Sequence, residues 1–224
     1  MEIENGHTMY ETIVFDLDGT LLDTLDDLTA AVNAALTAYG LPLRSKEEVR
    51  GFIGNGIVKL MERAVGGAER ADFQEILGAF KAHYKDHCAD FTKPYDGIMP
   101  LLRELKKRGL KIAMLSNKAD FAVKMLAKEY FGDLFAEAIG ENEAAGIRKK
   151  PAPDSLFAVM ERLGADKTTT VYIGESEVDI QTAQNAGVDC ISVTWGFKDK
   201  QFLVENGGKI FVDMPIGILQ YCKE

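Results

Sequence analysis

The run Ile13-Val14-Phe15 passes at once into Asp16-Leu17-Asp18-Gly19-Thr20. This switch from apolar to acidic constrains the fold more than any other part of the chain. A short, continuous apolar run suits a central strand of a parallel sheet, covered on both faces. Side chains alternate along a strand, so Asp16 and Asp18 can share one side, roughly 7 Å apart at ~3.3 Å per residue. Two carboxylates at the C-terminal end of a strand can bind a hard cation, or divide nucleophilic and acid/base duties between them. They can also be no more than a strand running into an Asx/Gly turn.

The pattern beyond that strand says what surrounds it. Leu25, Leu28, Val32, Leu36 and Tyr39 recur at helical spacing, with Asp23 or Thr24 as cap and Gly40-Leu41-Pro42 as stop. A glycine-rich loop, Gly51–Gly56, and helical patterns over about 57–65 and 69–88 make the stretch 25–91 all-helical. From Tyr95 onward the pattern changes. Helices near 99–108, 120–130, 155–163 and 179–186 alternate with strands at 111–115, 171–173, 190–193 and 210–212. The expected fold is α/β: a Rossmann-like parallel-sheet core from residues 1–22 and 95–224, with a small all-helical cap domain, 23–94, inserted after the first strand.

Composition narrows the function classes. With 26 Lys and Arg against 35 Asp and Glu, the net charge of −9 offers no positive field for nucleic acid or an anionic membrane. Cys88, Cys190 and Cys222 are odd in number and far apart, which reads as reduced thiols in a cytoplasmic protein rather than a disulfide framework. No stretch approaches the ~18 apolar residues of a membrane span. The leader Met1–Met9 carries Glu2, Glu4 and His7 and has no apolar signal core, so it reads as a frayed extension with Met9 as an alternative start. His83 and His87 stand one helical turn apart but lack the glutamate of a zinc-protease pattern, and read as surface histidines.

Three strands end alike. The first ends in Asp16 and Asp18, the second in Ser116-Asn117, and the third in Gly174-Glu175 with Asp179 four residues on. Ligands of open α/β sheets bind outside the carboxyl ends of the strands. Four carboxylates gathered there repel one another unless a cation sits among them.

Asp16-Leu17-Asp18-Gly19-Thr20, Leu115-Ser116-Asn117, Lys150-Pro151-Ala152-Pro153 and Gly174-Glu175-Ser176-Glu177-Val178-Asp179 stand in that order around a helical insertion. Together they resemble the four motifs of the haloacid dehalogenase-like hydrolase superfamily, over nearly the whole chain from about Tyr10. Gly174–Gly187 and Val193-Thr194-Trp195-Gly196-Phe197 resemble the phosphoglycolate phosphatase branch. One departure stands out: that branch usually has Asp where this chain has Glu175.

The resemblance implies a Mg²⁺-dependent phosphatase acting on a small phosphorylated metabolite, 2-phosphoglycolate by preference, through an aspartyl-phosphate. It implies Asp16 as nucleophile, Asp18 as general acid/base, and Ser116 and Lys150 as holders of the phosphoryl oxygens. The implied metal ligands are Asp16, the backbone carbonyl of Asp18, and Glu175. Asp179 is open between ligation, directly or through water, and a helix N-terminal acid. Thr20 and Asn117 are supporting substrate contacts. Arg50 and the loop Gly54-Asn55-Gly56 fall where the branch places its specificity loop, and a plain link between helices is the competing reading. Trp195 and Phe197 are expected to pack rather than touch substrate. A monomer or homodimer is expected. Pyrophosphatase and β-phosphoglucomutase-like chemistry are the alternatives within the superfamily. A phospho-accepting receiver or a binding protein with a degraded site are those outside enzymes.

Overall fold

The computed structural model describes residues 9–142 and 146–224. The leader residues Met1–Thr8 lie outside the described residues. Two compact units divide the chain: Met1–Leu21 with Pro94–Glu224, and Leu22–Lys93. Each boundary falls one residue before the one read from the sequence.

The first unit is built on a six-stranded sheet in the order β5-β4-β1-β6-β7-β8, all pairs parallel. The strands are β1 (Thr12–Phe15), β4 (Lys111–Ala119), β5 (Glu137–Glu141), β6 (Thr170–Gly174), β7 (Asp189–Val193) and β8 (Ile210–Val212). All four residues of β1 are buried, so β1 is covered on both faces, as its apolar run requires. Phe15 pairs with Met114 on one side and Ile173 on the other. This register sets Asp16, Leu115 and Gly174 level at the carboxyl edge.

Helices complete this unit: α5 (Ile98–Lys107), α6 (Asp120–Phe131), α7 (Asp154–Leu163), α8 (Glu177–Ala186) and α9 (Lys200–Glu205). Val14, Ala113, Leu115 and Tyr172 of the sheet pack with Leu156, Val159 and Met160 of α7 and with Ala183 and Ala186 of α8. Each large apolar side chain sealed this way contributes about 1.5–3 kcal/mol, which makes a one-residue register slip prohibitive.

The second unit holds a two-stranded ribbon of β2 (Leu22–Asp23) and β3 (Lys93–Pro94), which straddles the boundary, and four helices. The helices are α1 (Leu25–Ala38), α2 (Lys46–Phe52), α3 (Ile57–Val65) and α4 (Phe73–His87). The apolar stripe of α1 (Leu25, Leu28, Val32, Leu36) is buried, as is that of α4 (Phe73, Ile76, Leu77, Phe80), and the two helices pack together. Asp27, on the buried side of α1, is 1% exposed. Its carboxylate accepts the backbone N–H of Thr92 at 2.8 Å and of Phe91 at 3.0 Å, closing the unit where the chain leaves it.

Several elements differ from the expectation. The glycine-rich segment begins inside α2, whose start is a capping box: Ser45 Oγ accepts from Glu48 N, and Glu48 Oε2 accepts from Ser45 N at 2.8 Å. Helix α4 starts at Phe73 rather than 69, after an exposed Arg70–Asp72 ion pair. Strand β4 runs four residues further than its apolar core, through Ser116-Asn117-Lys118. The edge strand β5 and the short α9 are additions. The three cysteines are free thiols, and no described helix is long and apolar enough to cross a membrane.

Asp27→Ala removes the carboxylate that accepts the N–H of buried Thr92, a loss of about 1–3 kcal/mol. Urea unfolding of the variant is expected to show a lower midpoint than the wild type.

Candidate active site

The carboxyl edge of β1 carries Asp16, whose backbone N–H still belongs to the sheet through Ile173 O at 2.8 Å. The chain then turns sharply, with Leu21 N–H returned to Leu17 O at 3.0 Å. Gly19 adopts φ +80°, and a Cβ there would lie 2.8 Å from the Phe197 ring and 2.9 Å from Glu175 Cγ. Only glycine satisfies both the conformation and the space. Trp195 Nε1 donates to Thr20 O at 3.0 Å, so Trp195 and Phe197 pack against this turn, as expected of them.

Lys150 organises the centre. Its ammonium donates to Asp16 Oδ1 at 2.7 Å, to Asp179 Oδ1 at 2.7 Å and to Tyr172 Oη at 2.9 Å. Three acceptors match the three donors of an ammonium. Burial alone would lower the proton affinity of Lys150, but Asp16 and Asp179 hold it well above its ordinary value, so it stays charged. Tyr172 Oη in turn donates to Leu115 O at 3.2 Å, tying Lys150 to the strand that carries Ser116. The Lys150 backbone is clamped as well: Asn117 Oδ1 accepts from Lys150 N at 2.8 Å, and Asn117 Nδ2 donates to Lys150 O at 3.0 Å.

The acids divide into distinct settings. Burial, then repulsion from Asp179, pushes Asp16 up to about 7 despite the adjacent Lys150. Burial, then Asp179 again, pushes Glu175 to about 8. Glu175 Oε2 accepts from Phe197 N at 2.8 Å and Lys198 N at 2.9 Å, bonds that the extra methylene of glutamate reaches. Asp18 pairs with the ammonium of Lys118 at 2.8 and 3.1 Å.

Several expectations change with this geometry. Both oxygens of Asp179 are engaged: Oδ1 by Lys150, and Oδ2 by Glu175 N, Ser176 N and Ser176 Oγ. Asp179 thus stands at the N-terminus of α8 and also anchors Lys150. Gly174 leaves room for that carboxylate, which a Cβ there would strike. Asn117, read as a substrate contact, instead spends its amide on the Lys150 backbone. Thr20 is fully buried, with a hydroxyl that meets no partner among the described residues. Ser116, buried at the end of β4, accepts from Lys118 N at 3.2 Å.

In the helical unit, Arg50 lies in α2 beside Glu47, and Gly54 and Gly56 have φ of +123° and +82°. Asn55 Oδ1 accepts from Arg63 Nη2 at 2.7 Å, and Arg63 Nη1 donates to Phe52 O at 2.7 Å. The Asn55 side chain therefore braces its own loop. His83 and His87 stack at 4.5 Å, and His87 Nδ1 lies 2.8 Å from Asp90 Oδ2.

Sequence reading missed Lys118, Tyr172 and Arg63. Lys118 had a usable signal, since it directly follows Ser116-Asn117 at the end of the same strand.

The donor set suits a hard cation. Asp16 and Asp179 meet Lys150, Asp18 meets Lys118, and Glu175 stands beside them, so carboxyl groups outnumber the cations. Among the described residues no three His, Cys, Asp or Glu side chains are grouped to hold a metal ion unaided. Mg²⁺ asks less than that, since it commonly takes one or two carboxylates and completes its shell with water and substrate phosphate.

Known proteins carry the same architecture. A Pseudomonas putida protein named phosphoglycolate phosphatase is 32% identical, over 97% of this chain and 81% of its own. A Pseudomonas syringae pv. syringae protein of the same name is 33% identical, over 90% of this chain and 75% of its own. The crystal structure of a provisionally named phosphoglycolate phosphatase from Lactobacillus delbrueckii subsp. bulgaricus superposes with a TM-score of 0.90 at 35% identity, covering 97% of this chain and all of that one. The family model described as haloacid dehalogenase-like hydrolase matches residues 13–193, and the chain belongs to that family.

Proposed function

We propose that this chain is a phosphatase that hydrolyses 2-phosphoglycolate, with Asp16 as the nucleophile and Mg²⁺ as the cofactor. The observation that carries the reading is the buried Asp16–Lys150 pair at 2.7 Å at the carboxyl end of the central strand. It sets a carboxylate nucleophile beside a fixed cation where a phosphoryl group needs both. The names of the relatives support the substrate.

The residues supply most of the reaction. Asp16 attacks phosphorus, the bond between phosphorus and the ester oxygen breaks with that oxygen leaving on the substrate carbon, and the phosphoryl group is held on the carboxylate; splitting the reaction this way lowers each barrier. Asp18 gives its proton to the leaving oxygen, then takes one from the water that releases phosphate. The Lys150 ammonium and the Ser116 hydroxyl stabilise charge on the transferring oxygens. Asn117, Tyr172 and Asp179 hold Lys150 in place. The side chains of Asp16 and Glu175, with the Asp18 backbone carbonyl, would hold Mg²⁺. When bound there, Mg²⁺ supplies positive charge that offsets the repulsion between carboxylate and phosphate.

Phosphate release from 2-phosphoglycolate is expected to require Mg²⁺, to stop with chelator, and to fall by at least about 10³-fold in Asp16→Asn. Release led instead by pyrophosphate in the same assay would overturn the substrate. Glu175→Asp shortens the reach to the Phe197 and Lys198 N–H groups, and is expected to lower Mg²⁺ affinity and turnover by about 10- to 100-fold. The raised values of Asp16 and Glu175 also set a pH dependence. Stability from the protonated groups is complete below the ordinary carboxylate range and is lost as pH rises through about 7 and about 8. Thermal scans in chelator are therefore expected to show a falling midpoint from about pH 5 to about pH 9, with Asp16→Asn flattening the slope.

A further inference from the structure

The Lys118–Asp18 pair is not required by the phosphoryl chemistry above. Lys118 is 4% exposed in its side chain and Asp18 is 16% exposed. A lysine is rarely sealed this deeply unless a carboxylate partner offsets its desolvation. Lys150 already supplies the cation beside the phosphoryl group, so Lys118 is a second cation, paired with the acid assigned to the leaving oxygen. Its ammonium lies 2.8 Å from Asp18 Oδ1, the carboxylate that meets the ester oxygen as that oxygen departs.

We propose that Lys118 binds the carboxylate of the substrate and is a specificity-determining residue for carboxylated phosphomonoesters. This inference rests on the phosphatase reading and on Asp18 as its general acid. In 2-phosphoglycolate a single methylene carbon separates the ester oxygen from the carboxyl carbon. A group bonded to Asp18 is therefore within reach of the substrate carboxylate once the ester oxygen meets Asp18. An ammonium can serve two carboxylates at once, as Lys150 does here with Asp16 and Asp179. Lys118 would join Asp18 to the substrate in the same way. The selection is one of charge: an ammonium in a buried setting favours an anionic leaving group over a neutral one of equal length.

The test compares 2-phosphoglycolate with ethyl phosphate, which replaces the carboxylate by a methyl group. Wild-type enzyme with Mg²⁺ is expected to favour 2-phosphoglycolate in kcat/KM. Lys118→Met is expected to reduce that preference about 10- to 100-fold, and Lys118→Arg to restore part of it. An equal loss on both substrates in Lys118→Met would overturn the inference and leave Lys118 as a residue that only positions Asp18. A wild type that prefers 2-phosphoglycolate, with the preference intact in the variant, would overturn it while leaving the proposed function standing. A wild type indifferent to the carboxylate would overturn both. A second measurement removes dependence on Asp18 chemistry: calorimetric binding of both ligands to Asp16→Asn, with and without Lys118→Met. There the variant is expected to lose affinity for 2-phosphoglycolate alone.

Discussion

Burying the Lys150 ammonium in a parallel α/β core is unfavourable unless acceptors meet its charge. Asp16 from the end of β1, Asp179 from α8 and Tyr172 from β6 meet it together. The rest of the site follows from this one group. The Asn117 amide grips its backbone, Tyr172 joins it to β4, and Asp179 adds it to the N-terminus of α8. Removing one partner from such a cluster leaves an uncompensated buried charge, at a cost of about 3–5 kcal/mol. The same contacts that stabilise this edge of the sheet therefore fix the reacting carboxylate.

Much of the fold was legible because β/α alternation follows directly from hydrophobic patterning. The apolar runs at 112–115, 171–173 and 190–193 each became a buried strand, and Ile57–Val65 became a helix with the expected limits. Misses came where burial was partial or local polar chemistry decided the conformation. Strand β5, Glu-Ala-Ile-Gly-Glu, sits at the edge of the sheet and buries only two of its five residues, so it lacks the apolar run that marks an inner strand. Helix α2 owes its start to Ser45 and Glu48, a signature set by hydrogen bonds and not by periodicity. Strand β4 outruns its apolar stretch because its pairing with β5 resumes at Ala119, after an irregular stretch in which Ser116, Asn117 and Lys118 carry site chemistry.

The site was legible to a different depth. Strand ends converging on one edge were readable from topology, and so were the acids standing there. Which acid does what depends on distances that spacing does not contain. Asp179 faces back toward Lys150 and the start of its own helix, and Asn117 turns to the Lys150 backbone. Tyr172 lies in the strand expected at 171–173 and is fully buried. Its hydroxyl nonetheless reaches Lys150, a double duty that an apolar pattern conceals.

The register of β1 also bears on how the molecule assembles. Ile13 pairs only with Ile112 and Val171, partners far along the chain, while the residues between supply an independent helical unit. Closing such long loops is entropically expensive and slows folding. As the chain emerges from synthesis, the strand bearing Asp16 is made early and has no neighbour. It is seated only when β4 and then β6 exist. The helical unit, made of contacts close in sequence, can form before either. A nascent or truncated chain ending before β4 would thus hold the helical unit and an unpaired, apolar first strand, an edge open to aggregation. The residue that comes first in the chemistry is among the last to find its place.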